Sequence, residues 1–237
     1  MTDTAPHCIA SFHLVRDASR LRTMARLGLD RRRLRRVPGL VFWRLLGTGA
    51  GSDTGPGADL QRSALFAIWK DVESLDAFEA SMADRWSTVQ EVWSVRLRGW
   101  GGHGAWHGVD VLGLLEPAVA PDVTGPVAII TRANVRRRSW RSFRQAGPAV
   151  SAELNASDGL LGVVGIGEAP FGRLGTFSLW ASIEAARAFA LQSPHHREVM
   201  RRTRTEGWYG EELFARFEPS ASAGCWNGHD PLAPRSP

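Results

Sequence analysis

Side chains able to do chemistry are sparse in this chain of 237 residues, and the most informative lie near its end. The run Ser193-Pro194-His195-His196-Arg197 carries two imidazoles, and Arg85 stands 111 positions before His196 in a corresponding stretch. An excess of nine residues over the first half then follows, running through Trp208-Tyr209, so this half of the chain has lengthened a helix and set imidazole where the other half has guanidinium. Neutral imidazole is a good iron ligand. The pattern therefore predicts a metal or heme ligand at His196, with His195 and His229 (in Gly228-His229-Asp230) as alternatives, against the plainer reading of a solvated surface pair. A ligating histidine usually donates its other ring nitrogen to an acceptor, and Glu211 and Glu212 are the expected suppliers. The familiar catalytic signatures are missing: no Gly-x-Ser-x-Gly, no Gly-x-x-x-x-Gly-Lys, no His-Glu-x-x-His. Gly47-Thr48-Gly49-Ala50-Gly51 leads into polar loop rather than helix and reads as a hairpin connection.

The elements that must position these residues come in two similar sets. Gly39-Leu40-Val41 and Leu46-Gly47 resemble Gly159-Leu160-Leu161 and Ile166-Gly167 at an offset of 120. Ala67-Ile68-Trp69 with Phe78 resembles Ser178-Leu179-Trp180 with Phe189 at 111, and Trp106-His107-Gly108 with Asp110 and Leu112 resembles Trp226-Asn227-Gly228 with Asp230 and Leu232 at 120. The first set reads as strand Ile9–Val15, helix Leu21–Leu34, strands Leu40–Leu46 and Leu65–Trp69, a helix capped by Ser74, and an alternating strand Trp93–Leu97. The second reads as Val127–Thr131, helix Trp140–Leu154, Leu160–Ile166, Thr176–Trp180, helix Ile183–Arg204 and Leu213–Phe217, with Pro148 and Pro194 expected to kink or split the helices. This order predicts an α+β fold of two tandem ferredoxin-like (βαββαβ) repeats, residues 8–117 and 125–232, packed as a dimeric-α+β-barrel-type fold. The join falls in Pro117–Gly125, and an apolar cavity is expected inside the barrel.

Composition sets the outer bounds. Hydrophobic content of 43% and charged content of 22% are globular values and exclude a disordered or collagen-like chain. No apolar run approaches a membrane span, and Met1–His7 has neither a basic n-region nor an apolar h-region, which predicts a cytoplasmic protein. The net charge of +5 is almost wholly arginine, since Lys70 is the only lysine. The arginine clusters fall on expected helices without an RNA-binding or zinc-finger signature, so nucleic acid is not the expected partner. Such clusters can also rest on anionic headgroups, giving peripheral contact with the inner membrane, beside the plainer reading of a general preference for arginine over lysine. Cys8 and Cys225 are too few for a disulfide framework or an all-Cys zinc site.

Several blocks together resemble the spheroidene monooxygenase (acyclic carotenoid 2-ketolase) family. They are Phe42-Trp43-Arg44 with Gly47–Gly51, Ala67-Ile68-Trp69, Gly165–Phe171, Phe177–Trp180, His196 with Trp208-Tyr209 and Glu211–Phe217, and Trp226–Pro231. The blocks span about residues 9 to 231, and Trp208–Phe217 is the most specific. The resemblance implies a heme monooxygenase that uses dioxygen and reduced ferredoxin to oxidise C2 of a linear carotenoid to a hydroxy or keto product. The absence of Cys-x-x-Cys-His points to heme b rather than attached heme. His196 would be the ligand, with Arg44, Arg197 and Arg201 as donors to heme propionates and Trp208 beside the cofactor. Ten tryptophans against one tyrosine supply walls for an apolar polyene. Two rivals remain from other classes: a cofactor-free small-barrel monooxygenase, and a non-enzymatic carrier of an apolar ligand.

Overall fold

The computed structural model describes residues 8–52, 57–115, 124–168 and 172–234. In chain order these form β1 (Ile9–Arg16), α1 (Arg20–Leu34), β2 (Leu40–Gly49), β3 (Ala58–Trp69), α2 (Val72–Trp86), β4 (Glu91–Gly104), β5 (Val127–Val135), α3 (Trp140–Asn155), β6 (Leu160–Gly167), β7 (Arg173–Trp180), α4 (Ile183–Gln192), α5 (Pro194–Glu206) and β8 (Tyr209–Gly224). The eight strands close into one antiparallel barrel in the order β1-β3-β2-β6-β7-β5-β8-β4. Within it, β4-β1-β3-β2 and β8-β5-β7-β6 share the strand order of a ferredoxin-like unit. Register matches as well: Trp69 pairs with Ile9 and Leu40, and Trp180 pairs with Val127 and Leu160. The segments Leu40–Leu46 and Leu160–Ile166 lie in corresponding strands, which meet at Gly47 opposite Gly167. The expected join at Pro117–Gly125 lies mostly outside the described residues.

Local signals account for most boundaries. Alternation along β1 sends Ala10, Phe12 and Leu14 into the barrel and Ser11 and His13 under the helices. Asp71, rather than Ser74, caps α2, because its Oδ1 accepts from the Ser74 amide at 2.8 Å and from the Ser74 hydroxyl at 2.5 Å. Pro194 splits the expected helix Ile183–Arg204 into α4 and α5, whereas α3 runs through Pro148 as one helix. Strands β4 and β8 are longer than their apolar runs, since both continue along the seam they share, and β3 extends along the end of β2.

The barrel interior is packed rather than hollow, because eight strands leave room for about one set of inward side chains. Phe12 stacks on Phe177 with centroids 3.9 Å apart, and Phe66 stacks on Trp106 at 5.5 Å. Trp106 and Trp226 enter from opposite ends, each on a turn bearing a left-handed residue, His107 (φ 55°) and Asn227 (φ 56°). Each turn is clasped by a carboxylate from the other half. Glu211 accepts from the amides of His107 (2.9 Å) and Gly108 (2.7 Å), and Glu91 accepts from the Gly228 amide (2.8 Å). Buried Arg132 pairs with Glu211 and buried Arg62 with Glu91.

Candidate functional site

The break between α4 and α5 orients one imidazole. Ser193 Oγ caps α5 by accepting from the His196 amide at 3.1 Å. In an unbroken helix the Ala190 carbonyl would take the N–H of residue 194, but Pro194 has none. That carbonyl instead accepts the His196 Nδ1–H at 3.3 Å. The ring rests against Phe189 at 4.9 Å between centroids, and Phe189 packs on Trp180 at 5.7 Å. Burial holds the His196 pKa below its ordinary value, outweighing the opposing pull of the Ala190 carbonyl and Glu153. At neutral pH the ring is therefore uncharged, its proton on Nδ1 and its lone pair on Nε2, which makes no hydrogen bond among the described residues. Sequence reasoning looked to Glu211 and Glu212 for the acceptor. Glu211 instead serves the Trp106 turn, and Glu212 lies beside His103.

The other predicted residues fall in different places. His195 is 61% exposed and its Nδ1 pairs at 2.5 Å with Glu153, whose other oxygen bonds the Ser193 hydroxyl, so it latches the helix break to α3. His229 is exposed on the Trp226 turn at a barrel end. Arg201 pairs with Glu198 on its own helix, while Arg197 is exposed and in no ion pair among the described residues. Arg44 is far from this layer in role: its guanidinium lies 4.2 Å from the Phe42 ring centre and 6.0 Å from that of Trp106, among inward-facing residues. Trp208 is fully buried, donates to Glu206, lies under Arg202 at 4.6 Å and meets the edge of Phe143.

Contacts at both ends fix α3 antiparallel to α5: Phe143 with Trp208 at one, Glu153 with Ser193 and His195 at the other. What lies beneath differs from the first half. There, the outward row of the sheet is His13–Leu65–Leu45, closed over by α1 and α2 around a small cavity of about 30 Å³. The row in the same register of the second half is Thr131–Thr176–Gly165. Three bulky side chains are thus replaced by two threonines, hydrogen-bonded to each other at 2.8 Å, and a glycine. Thr131, Thr176 and Val163 stay half-exposed in mid-sheet, and α3 buries only Leu154, leaving Phe143, Ala146 and Val150 half-exposed. Whereas α1 lies along β3 and β2, α3 packs on α5 and β6. The sheet under α3 is thus floored by small residues where the first half has bulky ones. No motif signals it in the sequence, although comparing the two halves position by position finds the row.

Two ferredoxin-like sheets closed into one barrel, with helices over the sheet that carry a neutral imidazole, define an α+β-barrel protein. A solved aldoxime dehydratase shares this fold, with a TM-score of 0.59 at 13% identity over 92% of this chain and 81% of that one. No family model matches the sequence. Curated relatives do: spheroidene monooxygenase of Rhodobacter capsulatus is 32% identical over 210 residues (86% of this chain and 86% of that protein), and that of Rubrivivax gelatinosus 33% over 195 (81% and 73%). The enzyme of the same name from Cereibacter sphaeroides is 30% identical over 200 residues, and the match spans 61% of its length. This chain belongs to the spheroidene monooxygenase family.

Proposed function

We propose that this protein is a heme-dependent monooxygenase that oxidises C2 of a linear carotenoid with dioxygen and electrons from ferredoxin. The observation that carries the heme is His196: neutral, oriented by the Ala190 carbonyl, and with Nε2 unclaimed. The residues present fit a heme ligand: an imidazole whose other nitrogen is held by an acceptor. A slot between α3 and this row, which lacks the side chains that close the first half, would give a flat apolar group a place to lie. A heme bound there supplies dioxygen activation for C–H oxidation. His196 would hold it, and Arg197 would offer a cation for its carboxylates. Phe143, Ala146 and Val150 on α3 would exclude water and align an apolar chain end above Thr131, Thr176 and Gly165. We infer further that residues 8–117 and 125–232 are copies of one ferredoxin-like unit, a reading supported by their shared strand order and register.

Absorption spectroscopy of the purified protein titrated with hemin tests the cofactor. A Soret band that collapses in His196→Ala but persists in His195→Ala and His229→Ala is expected. Collapse only in His229→Ala moves the ligand there. A colourless protein that still oxygenates a linear carotenoid supports the cofactor-free alternative instead. With heme bound, turnover with ferredoxin, its reductase and labelled dioxygen is expected to put label into a 2-hydroxy product.

A further inference from the structure

Helix α1 is built inside out. Its buried positions are Thr23, Asp30 and Leu34, so two of the three inward side chains are polar. Its outward face carries Leu21 (76% exposed), Met24 (62%) and Leu29 (60%), spaced so that all three share one side over the first turns. Gly28 sits among them, and a side chain there would meet nothing within 4 Å. Arginines surround this stripe: Arg20 and Arg22 at the N-terminal end, Arg31, Arg32, Arg35 and Arg36 at the other. All six are exposed, and none is in an ion pair among the described residues. The acidic side chains of this helix and its lead-in are turned away from the face: Asp30 is engaged by Arg85 of α2 at 2.6 Å, and Asp17 by Arg26 at 2.5 Å. Arg32, Arg35 and Arg36 also line an open groove of about 1040 Å³ leading to the start of α2, whose other wall includes Asp71, Glu73 and Ser74.

We propose that this face of α1 docks on the surface of an anionic lipid bilayer. The chemistry selects that partner. Leu21, Met24 and Leu29 gain only from an apolar phase, while the arginines at both ends gain from phosphate lying in the same plane, an arrangement that a bilayer interface offers. Nucleic acid would satisfy the arginines and leave three large apolar side chains in water. Among the described residues no helix is long and apolar enough to cross a membrane, so α1 rests on the surface with its axis along it. The inference is independent of the heme reading.

The test is co-sedimentation of the full chain with phosphatidylcholine vesicles, with and without about one-third phosphatidylglycerol. Binding is expected only to the anionic vesicles, weakening as salt rises from about 50 to about 500 mM. Leu21→Ser/Met24→Ser/Leu29→Ser and, separately, Arg31→Gln/Arg32→Gln/Arg35→Gln/Arg36→Gln should each weaken it by roughly ten-fold or more. All these side chains are exposed, so unchanged circular dichroism and melting temperature are expected to accompany the loss. Equal binding to neutral vesicles, no binding at low salt, or unaltered binding by the apolar triple variant overturns the proposal. So does sedimentation of the wild type as a dimer that the triple variant converts to monomer, since the face would then belong to a second copy.

Discussion

His13 makes the stability of this protein acid-sensitive in a way that a single substitution can isolate. Its ring is 1% exposed, on the outward side of β1 between Phe78 and Trp86. Trp69 Nε1 donates to Ser11 Oγ at 2.8 Å, and the Ser11 hydroxyl lies 2.9 Å from His13 Nε2, which it can reach as donor. Nε2 is then the acceptor and Nδ1 carries the proton, facing no partner. Burial first, and the charge of Arg96 second, lower the His13 pKa from 6.5 to about 3. The unfolded chain therefore takes up a proton below 6.5 that the folded protein refuses until about 3, and stability is lost as pH falls through that window. At about pH 5 the interval below 6.5 corresponds to about 2 kcal/mol, and the full window to about 5 kcal/mol. In a chain of this size 2 kcal/mol is a fall in melting temperature of about 4–8 °C. Carboxylates also lose stability in acid, so the measurement is comparative. Wild type and His13→Leu are unfolded by urea and by heat at about pH 7.5 and about pH 5, and wild type should lose about 2 kcal/mol more than the variant. Parallel pH profiles for the two proteins would refute the assignment of a neutral, proton-refusing imidazole.

Two further perturbations address the site and the barrel plug. Thr176→Leu gives the second half the leucine of the first-half row and should weaken hemin uptake by roughly ten-fold or more, while loss of the hydroxyl bonded to Thr131 should lower the melting temperature by only about 2–4 °C. Uptake equal to wild type would show that the pigment does not lie between α3 and the Thr131–Thr176–Gly165 row, whereas no uptake by wild type would instead sink the heme proposal. Trp106→Ala removes a fully buried ring stacked on Phe66 and should cost about 3–5 kcal/mol in chemical denaturation. A loss below about 1 kcal/mol would mean that the turn does not plug the barrel.

What the sequence determined by itself was whatever depends on neighbours along the chain. The alternation in Trp93–Leu97, the apolar run ending at Trp69 and the paired Gly39 and Gly159 marked strands and turns, and Pro194 marked the break that sets up His196. The blocks shared with the spheroidene monooxygenases were equally legible, because a family resemblance is a property of order and spacing. The tertiary structure decided whatever depends on closure of the barrel. Glu211 looked like a partner for His196 because both lie in the same stretch, yet the antiparallel β4–β8 seam carries it to the amides of His107 and Gly108, more than a hundred residues away. Arg44 was grouped with the imidazole from its position in the sequence, and strand alternation turns it toward Phe42 and Trp106. The acceptor for His196 proved to be a backbone carbonyl, which has no signature of its own and becomes available only because Pro194 cannot claim it. The row of small residues was hidden for a related reason. Thr131, Thr176 and Gly165 are unremarkable residues on three separate strands, and only the pairing of β5, β7 and β6 in register makes them one floor.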